Sequence, residues 1–174
     1  KDGVKTMTFF ADIKDINELK KAFKRLIMKN HPDRGGDTAT CQAINAEYDK
    51  VMKALINGES DANYGRNGDK YNFWESKEER TEIEIKVKQA IEAIIALDGL
   101  EIEVVGVWVW VSGETKKHKE ELKKAGYHWH PKKAKWAFAG KKSSGRGSMS
   151  MEEVREKYGS QEVQKRTAKQ IAAA

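Results

Sequence analysis

A proline set between two amphipathic runs constrains this chain more than any other feature. Ile16, Leu19, Phe23, Leu26 and Ile27 recur at spacings of three and four, which places them on one face of a helix. Lys20, Lys21, Lys24, Arg25 and Lys29 fall on the other side, with Met28 among them. A soft, adaptable Met between cations suits a partner contact; on a generic helix it is a stray apolar residue on a solvated face. The helix has to stop at Asn30–His31, because Pro32 has no N–H to give and disfavours the α conformation in the residue before it. Gly35-Gly36 allows a tight reversal, and Asp37 or Thr38 serves as N-cap of a second helix. That helix runs on Cys41, Ile44, Tyr48, Val51 and Leu55, again three and four apart. A short connection between two such helices predicts an antiparallel hairpin, with His31-Pro32-Asp33 projecting from one end. Exposed, constrained loops of this kind are where binding residues concentrate.

Leu19 to Asn30, then His31-Pro32-Asp33-Arg34, then Gln42-Ala43-Ile44-Asn45-Ala46-Glu47-Tyr48, resemble the second helix, signature loop and third helix of a J-domain. The resemblance covers Phe9 to Leu55. It implies a module of the DnaJ family, whose second helix and His-Pro-Asp loop dock on a DnaK-class chaperone and promote its ATP hydrolysis. Carried over, His31 and Asp33 hold the loop's activity, Pro32 fixes its shape, and Lys20, Lys21, Lys24, Arg25, Met28 and Lys29 form the chaperone-facing surface. The first helix, about Phe9 to Ile13, is very short, and the Gly-Gly-Asp loop is closer to polyomavirus T antigens and auxilins than to DnaJ. No fourth helix with the family's usual basic signature, no Gly/Phe-rich segment and no Cys-x-x-Cys repeat follows. His31 has no His or Cys at ligand spacing and no paired nucleophile, so neither a metal site nor a general base is expected there.

The chain of 174 residues is 39% hydrophobic and 34% charged, the balance of a soluble globular protein. Its single cysteine, Cys41, excludes an internal disulfide framework and suits a reducing, cytoplasmic setting. The longest apolar stretch, Val104 to Val111, falls far short of the ~20 residues of a membrane span, and no secretory leader is legible. The net charge of +6 is uneven. Gly58 to Gly99 holds six basic and ten acidic residues, whereas Ser112 to Arg146 holds eleven basic and three acidic, a local +8.

The predicted class is α+β: a helical hairpin at 1–57, a linker at 58–74, a basic α/β domain at 75–158 and a tail at 159–174. Gly58 to Asp69 is polar and glycine-rich, and Tyr71, Phe73 and Trp74 after it are expected to dock on one of the domains. A helix is predicted from Glu75 to Leu97, on Ile83, Val87, Ile91, Ile94 and Ile95. Ile102 to Val111 reads as one strand, apolar on both sides and therefore central, with Gly106 as a bulge. A helix over Lys116–Ala125, capped by Gly126, leads to a hairpin of Tyr127–His130 and Lys135–Ala139, giving a three-stranded sheet. Ser150 with Glu153 predicts a capping box for a last helix, Met151–Tyr158, after which the tail is frayed helix or disordered. Val109 to Phe138 resembles a small strand-helix-hairpin module that recurs in phage and plasmid proteins.

Lysines interleaved with aromatics point to a nucleic acid: Lys116, Lys117, Lys119, Lys132, Lys133 and Lys135 for phosphates, Tyr127 and Trp129 for bases. The competing expectation is that the aromatics are core and the lysines only solubilise, and Trp136 and Phe138 are expected to be partly buried in either case. His118, His128 and His130 lack a thiol or carboxylate partner, so no metal or cofactor is expected. No catalytic constellation is present, and an enzyme is not expected. The resulting expectation is a co-chaperone: a J-domain for a DnaK-class partner, and a second domain for a target such as nucleic acid or a nucleoprotein complex. The alternative is a nucleic-acid-binding or adaptor protein whose hairpin is structural or docks another partner.

Overall fold

A computed structural model describes residues 9–58, 74–142 and 149–164. The protein is α+β, and the chain divides into two compact units, Lys1–Asp61 and Ala62–Ala174. Tyr71, Phe73 and the expected linker from Glu59 onward lie outside the described residues.

The first unit is a helical hairpin. Helix α1 spans Ile16–Asn30, and the Asp15 carboxylate accepts from the Asn17 and Glu18 N–H groups at its start. Helix α2 spans Thr38–Gly58. The α1 face expected from the spacing is buried at Ile16, Leu19, Phe23 and Ile27, while Leu26 is half-buried. On α2 the buried set is Cys41, Ile44, Tyr48, Met52 and Ile56, so the face runs one residue beyond the expected Val51 and Leu55, which are half-buried. Phe23 lies against Tyr48 with ring centroids 4.4 Å apart, and Phe10 meets Tyr48 edge-on at 6.2 Å. The expected helix at Phe9–Ile13 is instead a turn. Five residues are too few to hold a helical nucleus, and the Glu47 carboxylate takes the Phe9 and Phe10 N–H groups at 3.0 Å each.

The second unit is one antiparallel sheet of five strands rather than three, ordered β3-β4-β2-β1-β5. Helix α3 (Lys77–Glu92) precedes β1 (Leu100–Val105) and β2 (Trp108–Gly113). Helix α4 (Lys119–Lys124) follows, then β3 (His128–His130), β4 (Lys135–Ala139), helix α5 (Met151–Tyr158) and β5 (Ser160–Gln164). The single strand expected over Ile102–Val111 is a tight hairpin: Val105 pairs with Trp108, and Gly106-Val107 forms the two-residue loop. Gly106 takes φ +59°, which a first loop position of this length demands and other residues resist. The expected bulge is therefore the turn. The expected tail is also corrected: β5 pairs along β1, and its half-buried Gln161 and Val163 alternate with exposed residues.

Strand β2 is central, as its two apolar sides require. One face of the sheet carries Leu100, Ile102, Val104, Val109, Val111 and Trp136, all buried, with helix α3 packed against β2 and β4. On the other face Val105, Trp110 and Ala137 pack against Met151, with Val154 and Tyr158 of α5 beside them. Helix α5 carries the expected capping box. It is also tied to β1 by Arg155, which grips Glu103 through Nε–Oε1 at 2.5 Å and Nη2–Oε2 at 2.8 Å. That guanidinium holds the Glu103 carboxyl below the usual carboxylate range.

Tyr127 closes the end of α3. The Ile94 N–H turns to the Ile91 carbonyl, and the Tyr127 hydroxyl donates to the Ala90 carbonyl at 2.8 Å in a buried setting. A carbonyl in the last helical turn thus finds its partner across 37 residues. Tyr127→Phe is expected to lower the unfolding free energy by about 1–3 kcal/mol, the cost of an unsatisfied buried acceptor. Urea denaturation of the two proteins measures it, and equal midpoints would contradict the assignment.

Candidate functional site

The His31-Pro32-Asp33 segment sits where α1 ends. Asn30 is the last residue of α1, and His31 is extended at φ −62°, ψ 132°, the conformation a following proline favours. Pro32–Arg34 form one 3₁₀ turn, closed by Arg34 N–H to His31 O at 2.9 Å and Gly35 N–H to Pro32 O at 3.0 Å. Gly36 N–H returns to the same His31 carbonyl at 2.9 Å. His31 Nδ1 accepts from the Asp33 N–H at 3.3 Å, so the neutral ring carries its proton on Nε2. The Asp33 carboxylate stands 3.8 Å from Nδ1 and is 70% exposed, whereas the His31 side chain is 15% exposed. The turn thus offers an exposed carboxylate beside a largely covered imidazole.

The turn is braced from behind. A Cβ on Gly36 would lie 2.0 Å from the Asn30 carbonyl oxygen, so only glycine fits there. That carbonyl also accepts from the buried Cys41 thiol at 2.9 Å, while the Asn30 side chain donates to Leu26 O at 2.8 Å. Asp37 starts α2: its carboxylate accepts from the Thr40 N–H and hydroxyl at 2.7 Å each, and these bonds hold it below the ordinary carboxylate value. Sequence reasoning named neither Asn30 nor Gly36 as an individual support. The glycine pair was visible, but the close approach that demands one of them was not.

The expected basic face of α1 divides. Lys21, Arg25 and Lys29 are exposed, and Lys20 and Met28 are half-buried. Lys24 is a correction: it is only 9% exposed, beside Phe23 on the packed side, where its long aliphatic stem is covered.

In the second unit the lysines named from the sequence separate in the same way. Lys116, Lys117, Lys119 and Lys132 are exposed, and Lys117 pairs with Glu114 at 2.5 Å. Lys133 donates to Met149 O at 3.0 Å and lies 5.1 Å from the Trp110 ring centroid. Burial pushes its ammonium below the ordinary lysine value. Lys135 donates to Ser112 Oγ at 3.1 Å. Tyr127 is a correction, since at 1% exposure it is core and cannot stack on a base. Trp129 is 47% exposed and its ring rests edge-on against Trp136 at 5.9 Å. His128 and His130 share a face with Trp108 and Trp110, and His130 meets the Trp110 ring at 5.3 Å. Among the described residues no three His, Cys, Asp or Glu side chains gather as a metal site, and no helix is long and apolar enough to cross a membrane.

Comparison with known proteins gives one relative. Over 122 residues, 70% of this chain, the sequence is 33% identical to a DnaJ-like protein, MG200, of Mycoplasma genitalium. The chain spans 18% of that protein's length. Any uninterrupted stretch of that size takes in residues 53–122, so the likeness extends to α3, β1 and β2 and is not confined to the helical hairpin. No protein-family profile and no solved structure matches.

Gly36→Ala is expected to destabilise the hairpin by about 1–3 kcal/mol, because the new methyl group meets backbone and not a movable side chain. Guanidinium denaturation followed by helical circular dichroism reads this. Unchanged stability would mean that the close approach to Asn30 is not a constraint.

Proposed function

We propose that the first unit is a J-domain and that the protein is a co-chaperone, docking on a DnaK-class ATPase chaperone and raising its rate of ATP hydrolysis. The observation that carries this reading is the His31–Pro32–Asp33 turn, braced at the end of a basic helix with its carboxylate exposed. Similarity to a protein named DnaJ-like supports it. In this reading the chain performs no chemistry itself. Pro32 ends α1 and sets the turn, Asp33 presents its carboxylate, and His31 fixes the backbone of Asp33 through Nδ1. Lys20, Lys21, Arg25 and Lys29 supply the positive field, with Met28 as an adaptable apolar contact between them. Charges so placed act chiefly on encounter rate and register, so docking weakens as salt rises. In this reading the protein works in the cytoplasm. The second unit brings the target, and tethering raises the target's concentration at the chaperone.

The test is steady-state ATP hydrolysis by a bacterial DnaK, alone, with this protein, and with its His31→Gln variant. Stimulation by the native chain and at least about a tenfold loss in the variant are expected, in line with removing a central contact of an interface. Equal rates with both proteins would sink the co-chaperone reading for that chaperone. They would favour the adaptor reading, in which the hairpin is structural or serves another partner.

A further inference from the structure

The basic cluster of the second unit forms a definite place in the fold. A cleft of about 520 Å³ lies between the turn joining β3 to β4 and the first turns of α5. Lys132, Lys133 and Lys135 line it on the sheet side, and Arg155 joins them from the helix, against Glu152 and Glu153. Four cations face Glu152 and Glu153, and Glu103 pairs with Arg155, which leaves the cleft one charge positive. It is large enough for a ligand of nucleotide size. Its cations are positioned rather than loose: Lys133 is held by the Met149 carbonyl, Lys135 by Ser112 and Arg155 by Glu103. A lysine ammonium with one bond made has two donors left. The Lys135–Ser112 contact also sets the end of β2 beside this turn, and the exposed Lys116 and Lys117 follow that end closely in sequence.

On the other face of the same sheet edge stands an exposed tryptophan. Trp129 lies three residues before Lys132 on β3, the outermost strand, which is only three residues long. Among the described residues it is the one large hydrophobic side chain that is exposed, and the buried Trp136 props its ring. It points to the face of the sheet opposite Lys135, since Trp129 pairs with Trp136 and His130 pairs with Lys135. A ligand reaching both must pass around the short edge of β3. A flexible polyanion with planar groups along it can do so. An acidic peptide would satisfy the cations but leave the indole bare.

We infer that this edge of the second unit is a binding site for single-stranded nucleic acid, with the backbone phosphates in the cleft between the β3–β4 turn and α5 and a base stacked on Trp129. Aromatic stacking tolerates any base, and lysines read only phosphate, so binding is independent of sequence and falls steeply with salt. The inference names the chemistry of the target left open by the co-chaperone reading, and it stands on residues that reading does not use.

Fluorescence anisotropy of a labelled dT 20-mer with the 174-residue chain, over a range of salt, tests it. Trp129→Ala and Lys132→Glu alter exposed side chains, so both variants should fold, which circular dichroism checks. Binding by the native chain is expected, weakened roughly tenfold by Trp129→Ala. Lys132→Glu should reduce the slope of log affinity against log salt by at least about one. His31→Gln should bind as the native chain does, whatever its effect on a chaperone. No binding at low salt would overturn the inference. So would equal affinity and slope in both variants, which would place binding elsewhere, or competition by polyglutamate as strong as by unlabelled dT.

Discussion

The first unit turns on one carbonyl. Asn30 O is the last acceptor of α1, and the Gly36 backbone and the Cys41 thiol both converge on it. Helix end, loop and second helix therefore meet at a single point, with no room for a side chain on the loop. Pro32, two residues on, keeps α1 from continuing, and the 3₁₀ turn and the two bonds to His31 O leave the loop little freedom. A binding loop ordered before it meets a partner loses less conformational entropy on docking. The Phe23–Tyr48 contact and the apolar faces around it keep α1 and α2 together, but the reversal itself depends on the Asn30–Gly36 approach.

The second unit depends on a different constraint, a strand apolar on both sides. With Val109 and Val111 on one face and Trp108 and Trp110 on the other, β2 has to be covered twice. The two covers differ in kind. One face has the continuous aliphatic core shared with α3. The other has α5, which brings a small apolar patch around Met151 and a charged grip from Arg155 to Glu103. Helix α5 spans eight residues, and the basic cleft lies between its first turns and the β3–β4 turn. A full apolar cover there would leave no place for charge.

The parts legible in the sequence were those whose periodicity is long and uninterrupted. Helices α1 and α2 follow from repeats of three and four, and the capping box of Ser150 and Glu153 located α5. The hairpin of β1 and β2 was hidden because Val107, in its loop, is as apolar as its neighbours, and Gly106 alone resembles a bulge. Strand β5 was hidden for the opposite reason: Ser160–Gln164 is polar at nearly every position, as an outer strand can be. The loop residues His31, Pro32 and Asp33 were legible as a tripeptide in context. Their brace was not, since the thiol of Cys41 reaches Asn30 across eleven residues. The same limit hid Arg155, whose partner lies 52 residues away, and it misplaced Lys24 and Tyr127, whose burial depends on what packs over them.

Both units carry exposed cations, and their surroundings separate what those cations can do. On α1, Lys21, Arg25 and Lys29 are exposed on a helix that carries no exposed aromatic ring among the described residues. Such charges attract at a distance and are screened within about 8 Å at physiological salt, so they hasten an encounter and then leave specificity to the turn. At the sheet edge Lys133 is half-buried and Lys135 and Arg155 are tethered, and the exposed indole of Trp129 lies on the opposite face of the same edge. Charges already positioned and partly desolvated lose less on binding an anion than free lysines do, and stacking on the indole adds a contribution that salt does not screen. Residual binding at high salt would therefore come from the sheet edge and not from α1, which makes ionic strength the variable that distinguishes the two surfaces on one chain.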